Sequence, residues 1–459
     1  MTRRTTTLLA GAVTALAAVL PALPAAAHDD HVNGLSRTSH ESPLHLTSMQ
    51  VAFRAAVEAV LGADHVASRN VKLLERIPLT ADGVGARVVG HYLYVTSTKD
   101  LEIFDISKPG HPHQVGTSTV DIEFENEQVP TNGRVLGISG QTSTVTSQQG
   151  VCHPDPDASA DTTYKANCLA VFDVRDKSAP KQVAAVGGSG DHTSTCVQVG
   201  GNTCGYMYGS RGSITDLRHV LDRGHPARRL NVNWQDAVAK TGYPRPESCH
   251  NQTELRPGVL LTACEPIYLI SVRPEDGGSI TRPAVLGRAG FHRAPDDKHR
   301  FVHGVEWPQR GTDRIMMAGG ETNFTGVCEP QAGAFSTFVA RGGPTSPRFR
   351  FADQYRPVSG NYLDGNPPDG TYSFGCSVHW FQPNPTFRDR GLVALASYEN
   401  GTRFLRIRSD GSIHEVGFFE PLGGSTSSPD WAPDNRTVYA VDYHRGLDVL
   451  RYTGPLYVG

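Results

Sequence analysis

The stretch GHYLYVTSTKDLEIFDISKPGHPHQVGTS, residues 90–118, reads as strand, turn, strand, proline-containing turn, strand. Aromatic and β-branched residues fill the runs 92–97 and 101–106, and Lys-Pro-Gly at 108–110 punctuates them. Its second half recurs as NCLAVFDVRDKSAPKQVAAVGG, residues 167–188. In both, a Leu-x-Ile/Val-Phe-Asp-Ile/Val strand precedes a charged turn, a proline and an edge strand. PIYLISVRPEDGG (266–278), TRFLRIRSDGSIHEVGFF (402–419) and GLDVLRYTGP (446–455) are further versions.

Self-similarity of this kind marks a repeat architecture. Seven units follow, near residues 81–121, 122–189, 190–235, 248–290, 301–358, 375–423 and 426–453. Repeated units of three or four antiparallel strands predict an all-β, seven-bladed β-propeller over residues 70–459. The last unit ends after its third strand, and a spare strand, VKLLERIPLT (71–80), precedes the first. That spare strand is expected to complete the last blade and close the ring, which removes an exposed sheet edge.

The repeat LEIFDISKPGHPHQVG resembles the LVIVD-repeat propellers, clearly in the first, second and last units and diffusely in the others. More distantly, His192, His250, His303 and His379, which recur from unit to unit, form a pattern similar to the selenium-binding protein and methanethiol oxidase propellers. That second resemblance implies copper and tilts the expected chemistry towards oxidation. The first implies the fold and little about activity, because propellers host many functions.

The N-terminus has Arg3 and Arg4, an apolar run from Leu8 to Leu20, and Ala25-Ala26-Ala27. This is the pattern of a secretory signal over residues 1–27. Residues 28–69 form a polar segment with a short helix expected over 48–61, where Phe53, Val57 and Leu61 share one face between Ser48 and Gly62. No later run is apolar enough to span a membrane, so the chain is expected to be a secreted, extracellular monomer. The net charge is −3, and removing residues 1–27, with two Arg and no acid, makes it −5. That argues against nucleic acid and leaves a small molecule or an extracellular macromolecule as partner.

Aligning the units on the first hairpin turn brings histidines into register. His192, His250 and His303 each lie eight residues before a turn glycine, Gly200, Gly258 and Gly311. His379 begins the same strand in unit six, where the turn is longer. The same count reaches Glu125 in unit two and Asp82 in unit one. First strands line a propeller's axis, so these residues are expected to converge there. Neutral imidazoles flanked by carboxylates suit Cu, Zn, Fe or Ni. A second ring at the ends of the second strands holds Arg211, Glu265, Glu321, Glu399 and His444. The three acids, Glu265, Glu321 and Glu399, are the candidate catalytic proton carriers or orienting groups.

Eight cysteines in an exported chain predict disulfides. Cys196 and Cys204 flank Gly200-Gly201, and Cys249 and Cys264 flank Arg256-Pro257-Gly258. Cys152 and Cys168 bracket an insertion in unit two, while Cys328 and Cys376 fall in neighbouring loops of one face. The expected pairs are 152–168, 196–204, 249–264 and 328–376. The bridge 249–264 is expected to hold His250 and Glu265 together at the site. No Gly-x-Ser-x-Gly, phosphate loop or HExxH occurs. The sequence therefore favours a metal-dependent oxidoreductase or hydrolase. The alternative is a non-catalytic module binding a peptide, glycan or cell-wall partner through Trp307, Trp380 and Trp431.

Overall fold

The structure, a computed structural model, describes residues 64–120, 127–140, 143–145, 152–154, 168–201, 204–222, 225–290, 301–321, 333–356, 377–421 and 424–457. The expected leader, the helix expected over 48–61, Glu125, Cys328 and Cys376 lie outside the described residues.

Two short strands come first: β1 (His65–Ala67) and β2 (Val71–Ile77). Blade one is β3 (Gly83–Val89), β4 (Tyr92–Ser97), β5 (Asp100–Asp105) and β6 (His113–Thr119). Blade two has β7 (Val135–Gly140), β10 (Cys168–Asp173) and β11 (Lys181–Gly187), with the hairpin β8 (Ser143–Val145) and β9 (Cys152–Pro154) inserted. Blade three is β12 (Ser194–Val197), β13 (Tyr206–Gly209), β14 (Ile214–Asp216) and β15 (Arg228–Arg229). Blade four is β16 (Gln252–Arg256), β17 (Val259–Thr262), β18 (Ile267–Ser271) and β19 (Ala284–Ala289). Blade five is β20 (Val302–Glu306), β21 (Ile315–Gly320), β22 (Phe335–Arg341) and β23 (Arg348–Tyr355). Blade six is β24 (Phe381–Pro383), β25 (Gly391–Ala396), β26 (Thr402–Ile407) and β27 (Ile413–Pro421). Blade seven is β28 (Thr426–Trp431), β29 (Thr437–Asp442) and β30 (Gly446–Tyr452).

These seven antiparallel sheets make the seven-bladed propeller expected from the repeats. Strand β2 pairs with β30, from Val71↔Tyr452 to Ile77↔Leu447, and so closes the ring as the spare strand predicted. Strand β1 was not anticipated: it adds a fifth strand to blade six through His65↔Pro421.

Position within a blade explains each strand's composition. Middle strands are buried on both faces because blades stack on each other; β17 (VLLT) and β25 (GLVALA) are buried throughout. Outer strands alternate between exposed and half-buried, as in β2 and β11. The cores lie between blades: Leu255, Leu261 and Leu269 of blade four pack with Met316 and Phe338 of blade five. Each such side chain contributes about 1.5–3 kcal/mol by burial. The turn glycines used for alignment, Gly90, Gly133, Gly200, Gly258 and Gly311, all have positive φ between 62° and 82°. These tight turns need a left-handed residue, which glycine adopts without steric cost.

Disulfides Cys196–Cys204 and Cys249–Cys264 are present as expected. Cys168 is also disulfide-bonded. No helix among the described residues is long and apolar enough to cross a membrane.

Candidate metal centre

The four histidines meet at the axis. His192 and His250 each precede their inner strands, β12 and β16, by two residues, and His379 precedes β24 by two. His303 sits inside β20, at a register shift between Val302 and Gly304. The backbone holds these positions: His250 N donates to Ala263 O at 2.9 Å, and His379 N to Ala396 O at 3.0 Å. The rings follow one another from blade to blade. Centroids are 4.5 Å apart for His192–His250, 3.7 Å for His250–His303 and 4.3 Å for His303–His379. All four are buried.

The carboxylate at their centre is Glu127, a residue the sequence reading passed over for Glu125. Glu127 Oε2 lies 3.0 Å from His303 Nε2 and 3.5 Å from His250 Nε2, and Oε1 lies 3.0 Å from His379 Nε2. Trp380 Nε1 donates to Oε2 at 3.0 Å. The count did not reach Glu127 because the inner segment of blade two is irregular. It makes one isolated bridge, Thr131↔Leu136, plus a bond from Gly137 N to Pro130 O. Pro130 cannot donate to a ladder, so the regular strand is lost and the axial residue lies six, not eight, before Gly133.

The other expected residues are placed as follows. Asp82 is half-buried and its carbonyl accepts from Thr98 N; it belongs to no set of potential ligands. Glu321 is buried, joins His250 and His303 as one such set, and accepts a hydrogen bond from the Tyr398 hydroxyl. Glu399 is buried and Glu265 half-buried, and neither enters a ligand set among the described residues. Of the tryptophans, Trp307 and Trp431 are buried in inter-blade cores, and Trp380 alone faces the axial channel.

Electrostatics separates the imidazoles. Burial opposes charge on Glu127, yet the facing His379, His303 and His250 hold its carboxyl well below the usual range. Burial alone would lower His379, but Glu127, with Glu321 and the Ser427 carbonyl, raises it. Burial pushes His192 down to about 4, with Arg211 adding repulsion to its protonated form. Burial and His379 push His303 down to about 3. Both are therefore neutral at neutral pH, the form a metal requires. His379 Nδ1 lies 2.8 Å from Ser427 O, which assigns a proton to Nδ1 and leaves Nε2 facing Glu127.

His303 Nε2 and Trp380 Nε1 both hydrogen-bond to Glu127 Oε2, yet other polar atoms of the cluster are left over. His379 Nε2 and Glu127 Oε1 approach closely but out of line for a hydrogen bond, and His303 Nδ1 has no hydrogen-bond partner among the described residues. Buried polar atoms are otherwise almost always paired. Four nitrogen donors around one carboxylate fit a transition metal by donor chemistry.

Below Glu127 the axial channel continues towards the hairpin-turn face, past Arg87, Gln128, Thr195, Glu254, Glu306 and Gln382. It is a cleft of about 130 Å³ that opens to solvent. Burial pushes Glu306 and Glu254 each up to about 7.

An LVIVD-repeat family model matches residues 84–120, within blade one. No curated protein is found to match the sequence. Among solved structures, the β-propeller domain of Cps50 (Swd1) from Myceliophteria thermophila aligns with a TM-score of 0.50 at 9% identity, over 84% of this chain and 100% of that one. The periplasmic gluconolactonase PpgL of Pseudomonas aeruginosa aligns at 0.47 and 12% identity, over 81% of this chain and 99% of that one. At such identities the likeness speaks to the fold alone.

Proposed function

We propose that this chain is an exported propeller metalloprotein that acts as an oxidoreductase or hydrolase on a small molecule. The observation that carries the reading is the convergence of four buried histidines, from four successive blades, on the buried carboxylate of Glu127. His192, His250, His303, His379 and Glu127 would hold Cu, Zn, Fe or Ni, with Glu321 beside them. A bound ion of this kind supplies Lewis acidity and lowers the pKa of water. The leader pattern over residues 1–27 and the disulfides support export to an oxidising compartment.

The chain's own groups have distinct parts. Trp380 aims Glu127 through its indole N–H. The Ser427 carbonyl fixes the His379 tautomer. Tyr398 stacks on His379 at 4.5 Å and donates its hydroxyl proton to Glu321, so Glu321 and Tyr398 form a buried pair able to pass a proton at the edge of the cluster. Glu265 and Glu399 are the further candidate proton carriers.

Elemental analysis of protein recovered from its native secretion route tests the reading. Bound Cu, Zn, Fe or Ni, lost on His303→Ala while the propeller's circular dichroism is retained, supports it. Protein that is metal-free and takes up no metal on titration overturns it.

A further inference from the structure

The cluster is longer than one ion can fill. A single ion with ligands at about 2.0–2.1 Å keeps all its donor atoms within roughly 4.2 Å of one another. Among the described residues, three sets of donors lie mutually within 4.8 Å: Glu127 with His303 and His379; Glu127 with His192 and His250; and His250 with His303 and Glu321. No set contains His192 together with His303 or His379. The first two sets share only Glu127.

The physical cause is the propeller itself. Four of seven blades supply the histidines, so their rings describe an arc with steps of 3.7–4.5 Å rather than a closed circle around a point. Glu127 reaches into that arc from blade two with both oxygens engaged on different histidines, Oε1 on His379 and Oε2 on His303 and His250. Glu127 stands in both the His303–His379 set and the His192–His250 set, and a carboxylate shared by two neighbouring sites is the usual bridge of a dinuclear centre, with ions about 3.5–4 Å apart.

We propose that the axial cluster is a dinuclear site: Glu127 bridges one ion held by His303 and His379 and a second held by His192 and His250, with Glu321 at the seam. This rests on the metal reading above and goes beyond it in the number of ions. Four imidazoles with Glu127 shared by both ions give each ion three protein ligands, more than one four-coordinate ion takes in total, and leave open positions for water or substrate.

The test uses the full mature chain, stripped with chelator and titrated with Zn²⁺ or Co²⁺ alone. Bound metal is counted after desalting. Two equivalents are expected for the native sequence. His192→Ala and His379→Ala should each retain about one, because each dismantles only one end, and Glu127→Gln should weaken both. Co²⁺-loaded native protein should show spin coupling between the ions, a readout that depends on no variant folding. One equivalent in the native chain without coupling, lost in both His192→Ala and His379→Ala, overturns the dinuclear proposal and leaves the metal reading standing. No uptake at all overturns both.

Discussion

Replacing both Cys249 and Cys264 by Ala should cost stability while leaving the metal site in place. The bridge closes a loop with a sequence separation of 15. The chain-entropy estimate for such a loop is about 3 kcal/mol. With an unfolding entropy of about 2.1 cal/mol/K per residue and roughly 390 residues in the propeller, that loss lowers Tm by about 4 °C. The site should be less affected, because the backbone ladder already holds it on both sides of the bridge. His250 N donates to Ala263 O at 2.9 Å and Ala263 N to Asn251 O at 2.8 Å. Beyond the bridge, Glu247 and Glu265 exchange bonds of 3.0 and 2.8 Å. Zn²⁺ affinity should therefore fall by less than about tenfold, or 1.4 kcal/mol. Scanning calorimetry without reductant and calorimetric Zn²⁺ titration measure the two effects separately. An unchanged Tm would refute the loop-closure reasoning. A fall in affinity beyond about a hundredfold, 2.7 kcal/mol, would refute the claim that the ladder alone positions His250.

Three further outcomes are expected. Trp380→Phe removes the indole donor to Glu127 and should lower stability by about 1.5–3 kcal/mol in urea unfolding, the range for a bond to a charged group; no loss would mean that water replaces the donor fully. Glu306 keeps its proton up to about 7 when folded, against 4.5 for the ordinary side chain, so between those values the unfolded chain binds fewer protons and stability falls as pH rises. The shift corresponds to about 3 kcal/mol at 1.36 kcal/mol per unit, roughly halved by water in the open channel; Glu306→Gln should flatten that slope between pH 4.5 and 7, and a variant as steep as the parent would refute the assignment. Deleting residues 64–80 strips β2 from β30 and should give aggregation on size-exclusion chromatography, whereas a monomeric, fully folded product would show that ring closure is dispensable.

The strand repeat is local information, and so the fold was legible in the sequence. The period-two burial, the turn glycines and the Leu-x-Ile/Val-Phe-Asp-Ile/Val strand are set by residues a few positions apart, and they sufficed for seven blades and the closing strand 71–80. The four histidines were legible for the same reason: they occupy one register position counted from a glycine turn, or begin the corresponding strand. Glu127 was not, because its place depends on how far Pro130 shortens an irregular inner segment, and a count along the chain assumes a regular ladder. Strand β1 was hidden likewise, since His65–Ala67 has too few residues to show a pattern and becomes a strand only against β27. The division of the acids is also a tertiary fact. Glu265, Glu321 and Glu399 end the second strands of their blades, yet among the described residues Glu321 alone of the three comes within a ligand set, because it lies in the blade that carries His303 and next to the blade that carries His250. Spacing along a chain predicts which residues share a position in each blade; only the closed ring decides how far apart those positions fall.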